Sequence, residues 1–135
     1  MSLPIIRKAL EKKLAALTPA IATSFENAGY TPVTGTPYQR VNLLPNTPDN
    51  SIQGSASYFE RGIFQVMLCY PIGTGPAAAE TQAQLTRAHF KRGTSMVESG
   101  VTVVVMDTPR VSPAMIDEDR YCIPLSVPWQ AQIST

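Results

Sequence analysis

Residues 121–133 read YCIPLSVPWQAQI. Tyr121, Ile123, Leu125, Val127, Trp129, Ala131 and Ile133 all fall on one parity. Successive strand residues point to opposite faces, so one face of this segment is wholly apolar and belongs against a core. Pro124 and Pro128 fall on the other parity. Their missing N–H groups point to one and the same side. That predicts an edge strand, or one paired on one side over much of its length.

The strand that could pair with it is 58–70, YFERGIFQVMLCY. Tyr58, Phe64, Val66, Leu68 and Tyr70 share one parity; Ile63, Met67 and Cys69 share the other. Apolar residues on both faces predict a central strand covered on both sides. Tyr38–Leu44 reads as another strand, ended by Pro45. Residues 20–27, AIATSFEN, alternate Ile21, Thr23 and Phe25 and suit a short strand, with a helical turn as the competing reading. Ser95–Glu98 and Val101–Met106 flank Ser99-Gly100, a two-residue turn signal that predicts a hairpin.

Two segments carry helical periodicity. Ile6, Ala9, Leu10, Leu14 and Leu17 form an apolar stripe opposite Arg7, Lys8, Glu11 and Lys12. This predicts an amphipathic helix over about 3–17, stopped at Thr18-Pro19 because the residue before a proline leaves the helical region. The second runs from Pro76 through PAAAETQAQLTRAHFKRG, with Glu80 early, Lys91 and Arg92 late, and Gly93 as the expected residue just past its end. Three stretches read as loops: 28–37, the polar 45–57 (PNTPDNSIQGSAS) and the proline-bearing 107–118. A structureless stretch as long as 45–57 is uncommon and is usually functional or mobile. The order is α-β-β-β-α-β-β, an α+β domain over 1–135 with two helices and a mostly antiparallel sheet of about five strands.

With 135 residues the chain has the size of one domain, and at 44% hydrophobic residues it can build a core without metal or disulfide. Eleven Lys+Arg against ten Asp+Glu give a net charge of +1, no excess with which to recruit nucleic acid or an anionic membrane. Arg7 and Lys8 fall where a signal peptide would be apolar, and no window approaches a membrane span. The expected setting is therefore soluble and intracellular, or extracellular as part of a larger assembly. Cys69 and Cys122 form no CxxC and no metal finger, and both are expected to be reduced and half-buried; whether they approach each other is open.

Catalytic chemistry is poorly supported. Gly73-Thr74-Gly75-Pro76-Ala77-Ala78 fits a G-x-G-x-x-A dinucleotide turn, and a later strand ends near Asp107. However, the 95–106 hairpin interrupts the β-α-β crossover that such a site requires, so the plain reading is a turn that starts a helix. His89, the only histidine, sits late in the second helix, where a packed structural role is expected. Asp117-Glu118-Asp119 is the only acid cluster, and Arg120 beside it allows local pairing. Glu60 and Arg61 interrupt the long strand, either as a solvated tip or as one side of a subunit contact; Arg40 poses the same question. By elimination the residues describe a binding or structural protein with no cofactor, no metal and no catalytic residue. The candidate contact residues are Arg40, Asp49, Asn50, Glu60, Arg61, Arg110, Asp117, Glu118 and Asp119.

Four segments together resemble a known family. They are Thr36-Pro37-Tyr38-Gln39-Arg40-Val41 with Leu44-Pro45; Glu60–Val66 leading to Cys69-Tyr70-Pro71; Ala88-His89-Phe90 with Arg92-Gly93 and Gly100–Val103; and Asp119-Arg120-Tyr121 with the alternating terminal strand. In this order, over about residues 3–133, they resemble the phage tail terminator-like proteins, which complete the tails of phages with long flexible tails. The resemblance implies an α+β subunit of a ring, typically six-fold. Such a ring caps the head-proximal end of the tail tube, ends its polymerisation and presents a surface to the head connector. It implies the chain itself, the tube protein and the connector protein as partners, with no nucleic-acid sequence recognition and no membrane. The loops 45–57 and 107–119 are candidates to order on contact. A head-side neck protein is the alternative within this class; a small-molecule-binding α+β domain using the 73–78 turn is the alternative outside it.

Overall fold

The computed structural model describes residues 2–17, 21–27, 29, 31, 35–50, 57–73, 75–117 and 120–133. Its elements are α1 (Ser2–Ala15), β1 (Ala22–Ser24), β2 (Tyr38–Pro45), β3 (Tyr58–Pro71), α2 (Ala77–His89), β4 (Ser95–Glu98), β5 (Val101–Val105), β6 (Arg110–Val111), β7 (Met115–Asp117) and β8 (Arg120–Ile133). One sheet runs β1-β2-β3-β8-β5-β4, with β6 and β7 also on β8. All pairs are antiparallel except β1 with β2. The α+β class stands, with eight strands among the described residues where about five were expected. The short β6 and β7 lie inside the stretch read as a 107–118 loop, whereas β1 falls within the 20–27 segment read as a short strand.

The axis of the fold is the β3–β8 ladder, which pairs fourteen residues from Tyr58↔Ile133 to Pro71↔Arg120. The apolar parity of β8 is the core face, as its alternation predicts: Ile123, Leu125, Val127, Trp129 and Ala131 are buried there with Phe64, Val66 and Leu68 of β3. α1 contributes Ile6, Ala9, Leu10 and Leu14, with Leu17 just beyond it, and α2 contributes Ala79 and Ala83, with Phe90 at its end. Phe64 and Phe90 lie with ring centroids 6.1 Å apart. The helices cover this one face. On the other face of β3, Ile63 and Met67 are half-buried while Cys69 is fully buried, so cover on both sides is reached at one end of the strand.

β8 is not an edge strand. It pairs with β3 throughout on one side, and on the other with β7, β6 and β5 in succession. The prolines mark the gaps between those three. The Pro124 carbonyl accepts from the Ser112 N–H and the Pro128 carbonyl from the Met106 N–H, both at 2.9 Å. A strand residue turns its N and O to the same side, so both missing donors face the segmented side. The proline pattern located the interruption, and short strands fill the rest.

The β4–β5 hairpin forms as predicted, with φ of 49° at Ser99 and 80° at Gly100, the two positive values of a type I′ turn. α2 starts after Pro76 but ends earlier than expected. Its end is at His89–Phe90, and Gly93 instead serves a tight turn in which the Thr94 N–H donates to the Lys91 carbonyl at 3.0 Å.

The cysteines differ most from expectation. Cys69 and Cys122 are register partners, fully buried and joined in a disulfide, with Cα atoms 4.1 Å apart. Two long strands held in fixed register place the side chains face to face, which spacing along the chain does not show.

Candidate protein-interaction surfaces

The sheet curls so that α1 reaches toward both of its ends. Arg7 Nη1 donates to Glu26 Oε1 at 2.8 Å, two residues beyond β1, and the same oxygen accepts the Leu43 N–H at 2.9 Å. Lys8 and Lys12 hold the two carboxylate oxygens of Glu98, in β4, at 3.3 and 3.0 Å. In a flat sheet β1 and β4 would be five strand spacings, about 24 Å, apart. The basic stripe of the amphipathic helix therefore fastens both ends of one curled sheet. Arg7 first, then the Leu43 N–H, holds the Glu26 carboxyl below its ordinary pKa; Lys12 and then Lys8 do the same for Glu98. Glu11 moves the other way, raised by burial against the partial relief of Arg7.

The predicted contact residues do not form one cluster. Asp49 exchanges two backbone hydrogen bonds with Phe59, each 2.9 Å, and Arg61 Nε donates to the Thr47 carbonyl at 2.9 Å. Asp49, Glu60 and Arg61 thus meet where the 46–50 segment lies along the start of β3. Glu60 is buried there, opposite Ala131, whereas Arg61 and Asn50 are exposed. Arg40 lies elsewhere, on the face without helices, half-buried and donating to Met67 Sδ at 3.0 Å. Arg110 is exposed in β6, opposite Ser126. Asp117 ends β7 as the register partner of Arg120; Glu118 and Asp119 lie outside the described residues. Arg120 turns inward: it is buried, stacks 5.1 Å from the Tyr38 ring centroid and donates to the Thr36 carbonyl.

Gly73 and Gly75 have φ of 86° and 80° in the turn before α2, and Thr74 lies outside the described residues. The strand after α2 is β4, which pairs with β5, so no β-α-β crossover follows that turn. His89 is half-buried, with Nε2 against the Lys13 carbonyl and its ring edge-on to Phe90. Among the described residues no group of three or more His, Cys, Asp or Glu could hold a metal ion. No described helix is long and apolar enough to cross a membrane.

Exposed apolar residues were missed by a search for charge. Phe25 follows β1, and Met115 and Ile116 begin β7; all three are exposed. The signal was there in Met115-Ile116, two large apolar residues directly before three acids in a stretch read as loop.

Comparison with known proteins places these surfaces in context. A family model for the phage tail terminator protein matches residues 5–129. One solved structure superposes with a TM-score of 0.79 at 28% identity, covering 100% of this chain and 99% of that one. A chain from the virion of a native gene transfer agent particle superposes with a TM-score of 0.61 at 18% identity, covering 96% of each chain, a likeness of fold. No curated protein matches in sequence. The chain belongs to the phage tail terminator family, a family of structural tail proteins.

Proposed function

We propose that this chain is a tail-completion subunit. As one domain over 1–135 it assembles with copies of itself into a ring, six-fold as in the resemblance, on the head-proximal end of a tail tube. The ring ends tube polymerisation and gives the head connector a surface to bind. Assembly takes place in the host cytoplasm and the product stays in the virion. The observation that carries this reading is the family match across 5–129, on a fold whose entire length superposes on a solved relative. The protein works by shape and association and performs no bond-making chemistry. Arg61, Arg110 and Asn50 are exposed charged or polar candidates for contacts with tube or connector. The test is deletion of the gene from the encoding phage or prophage, followed by electron microscopy of tails. Tubes of uncontrolled length, or headless tails, are expected, with rescue by the supplied protein. Tails of normal length joined to heads would overturn the proposal.

A further inference from the structure

Cys69 and Cys122 are the only cysteines of the chain, and both are fully buried and bonded to each other. The assembly proposed above takes place in a cytoplasm, where thiols are kept reduced and a stable disulfide is rare. Three features of the fold bear on that conflict.

The first is register. Cys69↔Cys122 lies inside the unbroken β3–β8 ladder, between Leu68↔Ile123 and Tyr70↔Tyr121, with Cα atoms 4.1 Å apart. The ladder holds the two side chains face to face whether or not their sulfurs are joined. The second is separation from the main core. The pair forms a small cluster with Tyr38, with Met67 packed against it, and shares no member with the large cluster to which both helices contribute. Opening the bond leaves that large cluster intact. The third is the cover. Tyr38 is the register partner of Cys69. Arg120, two residues before Cys122, stacks 5.1 Å from the Tyr38 ring centroid and donates to the Thr36 carbonyl. Thr36 is exposed, so this clasp ends at the surface and can part while the ladder stays paired.

We propose that Cys69 and Cys122 are a redox lock that closes in place: two thiols while the subunit assembles, one disulfide once the particle has left the reducing cytoplasm. The oxidant is a small-molecule disulfide, such as oxidised glutathione. One cysteine thiolate attacks it, expels a glutathione thiolate and forms a mixed disulfide. The other cysteine thiolate attacks the cysteine sulfur of that bond, expels the second glutathione thiolate and leaves the Cys69–Cys122 disulfide. Two electrons pass from the cysteines to the two glutathiones, which take up the two thiol protons. The second step joins groups already facing each other, so the mixed disulfide does not accumulate. The closed bond sits in the middle of the row Tyr38–Cys69–Cys122–Met115 and stiffens the end of the sheet that carries β7. This inference rests on the cytoplasmic assembly proposed above.

Acid quenching, then alkylation with N-ethylmaleimide in denaturant and intact mass, counts the thiols. Protein taken from the host during assembly should carry two adducts, and protein from released particles none. Purified reduced protein, given oxidised glutathione without denaturant, should close to the disulfide and keep its circular dichroism spectrum. The closure rate should stay flat across low urea, the mark of local opening. Arg120→Met, which removes the clasp, should speed closure several-fold, and Val97→Thr should not. If Arg120→Met does not fold, the wild-type urea series decides. A bond already closed in the host at quenching overturns the lock and leaves the tail-completion reading standing. So does a closure rate that rises with urea in step with global unfolding, because the bond is then a product of folding. Thiols that persist in released particles overturn it as well. If deletion of the gene leaves normal tails joined to heads, the tail-completion reading falls and the timing proposed here falls with it.

Discussion

Cys69 and Cys122 sit directly opposite each other on β3 and β8 and are joined in a disulfide on the face of the sheet away from the helices. Tyr38 is buried beside them, and Arg120 lies over its ring. A core of this size does not require a cross-link, yet a bond that closes a sequence separation of 53 constrains the unfolded chain. Replacing both cysteines by alanine is expected to lower stability by about 2–4 kcal/mol in chemical denaturation. A strong reductant should destabilise the wild type and leave the double variant unchanged.

Acid should loosen the helix that fastens the sheet ends. Glu26 and Glu98 both have pKa values held below the ordinary 4.5. Their contribution is present above that value and is lost as pH falls through the depressed values. Thermal melts across an acid series should show stability declining in that window, and Glu98→Gln should flatten the decline. Glu11 has the opposite sign, because its raised value makes it favour the fold at low pH and lose that contribution as pH rises. Glu11→Gln is expected to raise the melting temperature at neutral pH.

Gly62 is required by a close approach. A Cβ there would run into the Leu44 carbonyl oxygen and stand 3.0 Å from both Pro45 Cα and Trp129 Cζ2. Two of these are backbone atoms of a paired strand and cannot swing away. Gly62→Ala should cost about 1–3 kcal/mol, measured by urea denaturation.

Phe64, on the core face of β3, is fully buried, with the Phe90 ring beside it. Phe64→Ala should cost about 3–5 kcal/mol, the range for removing an aromatic ring from a core that collapses incompletely. Val97→Thr, on a side chain 68% exposed in β4, should change stability little and serves as the control in the same denaturation series.

Much of this fold was legible because periodicity reports faces. The parity of Tyr121–Ile133 named the buried side of β8, and the stripe from Ile6 to Leu17 named the buried side of α1. Periodicity does not report neighbours. Whether β8 has one partner strand or several depends on which distant segments return to it, and strands as short as Arg110–Val111 carry no period to read. The cysteine pair failed for the same reason: each residue's face was readable, but their pairing needed the β3–β8 register. Gly93 was misplaced because a glycine after a helix fits an end cap and a connecting turn equally well. The charged candidates were readable one by one but not their placement: Asp49, Glu60 and Arg61 lie together at the start of β3, whereas Arg40 and Arg110 lie elsewhere. The exposed apolar residues Phe25, Met115 and Ile116 stand out once the sheet shows that nearby strands do not cover them.

The segmented side of β8 bears on how relatives can diverge. From Met106 to Asp117 the chain meets that strand in short pieces, at β6, at β7 and at single bonds to the two prolines, while the β3 side carries an unbroken ladder. A longer or shorter excursion there costs little more than the entropy of closing a different loop. Evolution can therefore refit this stretch to a new neighbour without retuning the body that bears it.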